Sequence, residues 1–275
     1  TQSGTYSSIV GSNNNFSMRL DGIDDYIEIN LNQNADFTYM GWFNFNSFHP
    51  DVTTIYQHKN TCVRGAGHAL GIEPGNDKLR WIANDCGTCS ASSCSWPDYI
   101  NNYFNQITTG QWYFVSLVSN GVDKQTIYLN GIAIDSVLNS NTFATYGVQP
   151  LFIGKWLDGT TGPFFSDGMF DDFSYWDTEL SKQEIQQYMN CPPIGNEAGL
   201  VGYWNFEEGT GTTAYDQTTN GNNGTINGAA YSTNVPPQSC NITNSNGCDS
   251  TAILNLTINQ ADTSYTNITA CDSVV

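Results

Sequence analysis

Apolar and polar residues alternate with a period of two along much of this chain, a pattern that predicts β-strands joined by tight turns. Ile27, Ile29 and Leu31 alternate with Tyr26, Glu28 and Asn30, and Phe37, Tyr39, Gly41, Phe43 and Phe45 alternate with Thr38, Met40, Trp42 and Asn44. Further strands are predicted over 112–118, 151–156 and 169–176. Residues 126–129 and 132–135 flank Asn130-Gly131, the pair best suited to the left-handed backbone of a two-residue hairpin turn. Helical periodicity is confined to one place. There Ser181-Lys182-Gln183-Glu184 has the form of a capping box, Ile185, Tyr188 and Met189 make one apolar stripe, and Pro192-Pro193 ends it. Many aromatic strands, Gly/Asn turns and a single short helix predict an all-β, two-sheet antiparallel sandwich.

Composition narrows the function. At 275 residues the chain has room for one full sandwich and an appendage. Twenty-six acidic residues against 8 Lys and Arg give a formal net charge of -18, which repels phosphate backbones and argues against a nucleic-acid partner. Eight cysteines, an even number, point to an oxidising and hence extracellular setting, secreted or on a cell surface. No apolar run approaches the about 18 residues of a membrane span. The chain opens at Thr1 without an apolar leader, so any export signal or anchor is expected outside this sequence.

Five ordered motifs then carry a family resemblance. They are residues 17–27 (Ser-Met-Arg-Leu-Asp-Gly-Ile-Asp-Asp-Tyr-Ile), Gly110-Gln111-Trp112-Tyr113-Phe114-Val115, Ile127-Tyr128-Leu129-Asn130-Gly131, Leu151-Phe152-Ile153-Gly154, and residues 168–176 with the helix after them. Together they resemble LamG-like jelly-roll domains of the concanavalin A-like kind. The resemblance implies a jelly roll that binds rather than catalyses and that often carries a structural calcium. One block is out of order. Residues 200–206 and the Asn/Gly-rich stretch 216–229 resemble what usually precedes the family's first strand, yet here they follow the helix. The expectation is a LamG-like domain over 1–235, circularly permuted, with 199–230 returning to complete its sheets. Beyond Pro236-Pro237, residues 236–275 read as a disulfide-containing linker and the start of a β repeat. There Cys248-Asp249-Ser250 recurs as Cys271-Asp272-Ser273, resembling the Cys-Asp-Ser arrays of giant surface adhesins of Bacteroidetes-type bacteria.

Candidate chemistry follows from residue type and place. Cys86, Cys89 and Cys94, with Cys62 and His58 upstream, admit a zinc reading, but irregular spacing and an oxidising setting favour disulfides. Proximity suggests pairing within Cys62/Cys86/Cys89/Cys94, then Cys191 with Cys240 and Cys248 with Cys271. For calcium, which takes about six to eight hard oxygens, the candidates are Asp24, Asp25, Asp171, Asp172 and Asp216; the alternative is that they cap turns in solvent. Asp171 and Asp172 are strand neighbours and point to opposite faces unless the strand bulges. No two glutamates stand at i and i+2 on a predicted strand, as a paired-carboxylate glycosidase would place them, so no enzyme is expected. Trp96, Tyr99 and Tyr103, in an apparent insertion over 85–106, and Trp156 with Asp158 in a Gly-rich loop, are candidates for stacking on sugar or for a local mini-core. The function expected is a non-catalytic adhesion or structural module of a large surface protein or fibre, binding glycan or a partner surface and open to self-assembly. The alternative is a carbohydrate-binding module of a secreted polysaccharide-degrading enzyme.

Overall fold

A computed structural model of the chain describes residues 14–59, 67–73, 75, 78–84, 98–138, 146–157, 162–238, 254–257 and 265–268. In chain order the first strands are β1 (Ser17–Asp21), β2 (Tyr26–Gln33), β3 (Asp36–Ser47), β4 (Thr53–Lys59), β5 (Gly67–Glu73), β6 (Lys78–Asn84) and β7 (Asp98–Gln106). Next come β8 (Tyr113–Asn120), β9 (Lys124–Leu129), β10 (Ile132–Leu138), β11 (Tyr146–Ile153), β12 (Lys155–Trp156), β13 (Phe164–Phe165) and β14 (Asp167–Trp176). The helix α1 (Lys182–Asn190) is followed by β15 (Leu200–Trp204), β16 (Thr213–Ala214), β17 (Gly224–Asn227), β18 (Ala230–Ser232), β19 (Leu254–Thr257) and β20 (Tyr265–Ile268).

Two eight-stranded antiparallel sheets make the sandwich. The first runs β10-β9-β8-β3-β14-β1-β18, with β15 paired to β14, and the second runs β16-β17-β2-β11-β4-β5-β6-β7. β12 and β13 form a separate ribbon, and β19 pairs with β20. The segment after the helix supplies strands to both sheets: β15 pairs with β14, β18 with β1 and β17 with β2. No helix among the described residues is long and apolar enough to cross a membrane.

Alternation along β3 explains why the first sheet is sealed on both sides. Phe37, Tyr39, Phe43 and Phe45 enter the core between the sheets, beside Ile27, Ile29 and Leu31 of β2. Met40 and Trp42 point the other way, into a second cluster with Phe114 and Trp176 that is roofed by Leu180, Ile185 and Leu200. The capping box holds that roof. Ser181 Oγ accepts from the Glu184 amide at 3.3 Å, and the Glu184 carboxylate accepts from the Ser181 amide at 2.7 Å. Replacing Ser181 with alanine leaves an amide of the first turn unpaired, so thermal melts should show a loss of about 1 kcal/mol.

The Asn130-Gly131 turn forms as expected, with both residues at positive φ and Ile132 paired to Leu129. The strand expected over 151–156 breaks at Gly154, whose φ is +78° and where a Cβ would lie 2.0 Å from Leu20 Cδ2. Close approach to β1 therefore ends β11 and starts β12. Four strands, β4 to β7, arise where no strand was predicted. Thr53–Lys59 is buried at every position, so it shows no alternation of apolar and polar residues. The stretch 98–106, read as part of an insertion, is the edge strand β7, its aromatic residues interleaved with asparagines.

Candidate functional site

Among the described residues, the outer face of the second sheet is exposed toward its β2–β17 end, whereas Phe152, Gln57, Ala69 and Ile82 farther across it are 2–6% exposed. Across it the register aligns Thr213, Thr225, Glu28, Phe152, Gln57, Ala69, Ile82 and the backbone of Tyr99 in one row spanning all eight strands. At the ordinary strand spacing the row is about 34 Å long. The β12–β13 ribbon crosses its middle. Gln57 pins that crossing, accepting from the Leu157 amide at 2.8 Å and donating to the Leu157 carbonyl at 3.3 Å. On one side of the ribbon lie the exposed Asn30 and Thr225 and the half-buried Tyr26 and Glu28; on the other lies the half-buried Arg80. Lys155 Nζ sits 3.6 Å from the centre of the Tyr26 ring, so that face of the ring is already taken by a cation.

The sequence-derived aromatic candidates divide. Trp156 is only 6% exposed and packs on Ala69 and Ile82, so it anchors the ribbon and offers no free face for a sugar. The cavity beside it measures about 10 Å³, room for no more than one water. Tyr99 stands opposite Ile82 on β7, one strand beyond the Trp156 contact, and Tyr103 lies further along the same strand. Trp96 and Asp158 lie outside the described residues. Sequence reasoning missed Arg80, which carried no motif, and the row itself, which only strand register reveals.

The five candidate metal-ligand aspartates fall in three places. Asp24 and Asp25 join Asp21 in the β1–β2 turn, where the three carboxylates offer oxygens within 4.8 Å of one another. Burial and the neighbouring Asp21 and Asp24 charges raise the Asp25 pKa, against the Asp21 amide that donates to it. Asp216 is engaged within its own loop. Its carboxylate accepts from the amides of Tyr203, Thr218 and Asn222 and from the Thr218 hydroxyl, which fill both oxygens. It organises the 216–222 loop.

Asp171 and Asp172 form the third place, four residues along β14 from the Asp21–Asp167 pair and so about 13 Å away. The register slips between Asp171 and Ser174, and Asp172 has φ +48°, so a bulge turns both side chains to the outer face of the first sheet. They are 1% and 7% exposed. Asp171 accepts from Asn14 Nδ2 at 2.9 Å, and Asp172 accepts from the Tyr203 hydroxyl and, at 2.5 Å, from Gln238 Nε2. Burial, then each other's charge, lifts Asp171 well above the carboxylate range, and burial pushes Asp172 up to about 6. Beside them Asn14 Oδ1 is buried without a hydrogen-bond partner. Two buried acids and an orphaned amide oxygen fit the structural calcium that the family resemblance implies. Asp171, Asp172 and Asn14 would hold it, and the ion would supply the positive charge these buried carboxylates otherwise lack.

Cys191 is disulfide-bonded, and the other seven cysteines lie outside the described residues. His58 and His68 are buried in the core beside Tyr39 and Tyr56.

An all-β sandwich of two antiparallel sheets with a helix over one outer face is a jelly-roll architecture. The model of the concanavalin A-like lectin/glucanases superfamily matches residues 20–186, and the chain belongs to that family. Among solved structures it is similar to a Bacteroides ovatus protein named for carbohydrate binding, with a TM-score of 0.62 and 18% identity over 82% of this chain. The match spans 62% of that protein's length. It is also similar to a heptameric SAP-like pentraxin of Limulus polyphemus, with a TM-score of 0.50 and 19% identity over 66% of this chain and 87% of the pentraxin. No curated protein sequence matches the chain.

Proposed function

We propose that this chain is a non-catalytic glycan-binding module of a large extracellular surface protein, and that the outer face of its second sheet is the binding face. One observation carries the reading: on the outer face of the second sheet, exposed Asn30 and Thr225 with half-buried Tyr26 and Glu28 lie on one side of the β12–β13 ribbon, and half-buried Arg80 lies on the other. Polar groups on either side of the ribbon suit a saccharide chain, and the Arg80 guanidinium supplies hydrogen-bond donors there. Family membership and the carbohydrate-binding name of the Bacteroides ovatus relative support the ligand class.

Carboxylate geometry supports a binding role over hydrolysis. The two glutamates of this face, Glu28 on β2 and Glu73 on β5, lie three strand spacings and four residues apart, about 19 Å, where retaining chemistry needs about 5 Å. The Cys-Asp-Ser recurrence near the C-terminus and the even cysteine count support a place in a surface fibre. The strand order is read as a permuted form of the family's, with 199–230 supplying what elsewhere precedes the first strand.

Glycan arrays probed with the full chain test this directly. Binding to at least one class of extended polysaccharide is expected, with no release of reducing ends on prolonged incubation. Arg80→Ala and Tyr99→Ala should each weaken it about tenfold, a loss of about 1.4 kcal/mol, while Gln187→Ala on the exposed side of α1 leaves it unchanged. Binding indifferent to Arg80 and Tyr99 would refute the assignment of the face.

A further inference from the structure

Charge is unevenly spread over this chain. Strand register places Lys59, Lys78 and Arg80 on the outer face of the second sheet, and the ribbon brings Lys155 to the same face. Four of the chain's 8 Lys and Arg thus meet on one face of a molecule whose formal net charge is -18. Across strands β16, β17, β2, β11, β4, β5 and β6, the carboxylates of that face are Glu28 and Glu73. Glu73 stands opposite Lys78 at the β5–β6 turn and offsets it, and Lys59 is buried. Arg80 and Lys155 are half-buried, one on either side of the ribbon. The Lys155 ammonium lies 3.6 Å from the centre of the Tyr26 ring, 4.9 Å from that of Phe152 and 6.0 Å from that of Phe165. Among the described residues it is in no ion pair; the pairs there are Arg19 with Asp167 and His49 with Asp51. We propose that Lys155 is a specificity-determining residue of the binding face, selecting saccharides that carry a negative charge as a uronate carboxylate or a sulfate ester.

Three ring faces hold the lysine stem in place and attract its charge, but they offer the N–H donors no lone pair. A side chain already held this way loses little freedom when a ligand binds, and partial burial makes its charge count for more than in bulk water. An ammonium donating to a carboxylate or sulfate forms the charge-assisted kind of hydrogen bond, about twice as strong as one between neutral groups. Arg80 complements it from the far side. It lines the small cavity beside Trp156, the residue next to Lys155, so a polymer crossing the ribbon meets one cation on each side. The remaining acids of the chain oppose the approach of any anion. Asp24 is the exposed member of the β1–β2 turn nearest in sequence to Tyr26, and it works against the ligand at this end of the face. Remote acids act through solvent and are screened by salt with a Debye length of about 8 Å at physiological ionic strength, whereas a contact pair is screened much less. Moderate salt therefore favours the contact that Lys155 makes over the repulsion from the rest of the chain.

This selectivity rests on the glycan face proposed above and can fail separately from it. Titration calorimetry of the full chain at physiological ionic strength tests it with two matched pairs of polymers. Polygalacturonate is compared with its methyl ester, which keeps the backbone and loses the charge, and dextran sulfate is compared with dextran. The charged member of at least one pair should bind about tenfold tighter than its neutral partner, and the pair that responds tells carboxylate from sulfate. Lys155→Met keeps an apolar stem against Tyr26 and should bring that preference close to unity. Lys124→Gln and Lys182→Gln, exposed on β9 and α1, should leave it unchanged. Should Lys155→Met fail to fold, Asp24→Asn must still tighten binding of the charged polymer about twofold and leave the neutral one as it was. Equal binding of charged and neutral polymers would overturn the selectivity, and if that binding still depended on Arg80 and Tyr99, the face itself would stand. A preference that falls as far in Lys124→Gln as in Lys155→Met would also overturn it, since it would mark diffuse attraction. Binding to no glycan at all would overturn both readings.

Discussion

In chelator, the double variant Asp171→Asn, Asp172→Asn is expected to lose at least about 3 kcal/mol of stability between pH 6.5 and pH 4, while the wild type loses much less. The loss originates in the core. Burial pushes His58 down from 6.5 to about 4, and burial with the His58 charge pushes His68 well below its usual value. One neutral tautomer suits His58: Nδ1 accepts from the Tyr39 hydroxyl at 2.5 Å, and Nε2–H donates to the Leu31 carbonyl at 3.3 Å. In this window the unfolded chain binds protons that the folded one refuses, so stability falls as pH falls. Asp172 acts in the opposite sense. Its folded pKa is raised from 3.8 to about 6, so its contribution is greatest at low pH and is lost as pH rises through that range. Asp171 shares that direction. The two pairs oppose each other in the wild type. Denaturant midpoints from pH 3.5 to 8 should therefore slope upward with pH in the double variant and downward in His58→Gln. Parallel slopes in the two would show that neither pair is buried as described.

Trp204→Ala should destabilise the whole sandwich by about 3–5 kcal/mol, the cost of emptying a buried indole site. Trp204 is fully buried in the main core, pairs with Phe173 of β14 and donates through Nε1 to the Asn222 carbonyl at 2.9 Å. Its ring lies so close over Gly202 that a Cβ there would come within 2.3 Å of it. The indole thus joins β15, the 216–223 loop and the inter-sheet core in one contact. A single cooperative melt shifted downward by roughly 10 °C is expected for a chain of this size. A local loss near 200–226, with the remainder melting at the wild-type temperature, would mean that the post-helix strands are only appended to the sheets.

Legibility in the sequence followed how many neighbours each element needed to define it. β2, β3, β9, β10, β14 and the helix could be read because one face differs from the other in polarity, or because a turn and a capping box announce their ends. β4 to β6 could not, since Thr53, Gln57 and His58 are polar residues buried by tertiary contacts that no local pattern encodes. Asp171-Asp172 was visible as an acidic pair, but its bulge was not, and Asn14 and Gln238 reach it from 157 and 66 residues away. Trp156 misled because an aromatic residue beside glycines resembles a loop platform, whereas the ribbon turns it inward onto Ala69 and Ile82.

Amide chemical-shift mapping of the chain with the tightest-binding glycan from the arrays tests the proposed binding face most directly. The expected result is a contiguous set of shifts on β4, β5, β6 and β7 and on the ribbon, including Arg80 and Tyr99, with the helix-covered face of the first sheet silent. Shifts centred instead on α1, or on the Asp21–Asp25 turn with β6 and β7 unperturbed, would contradict it.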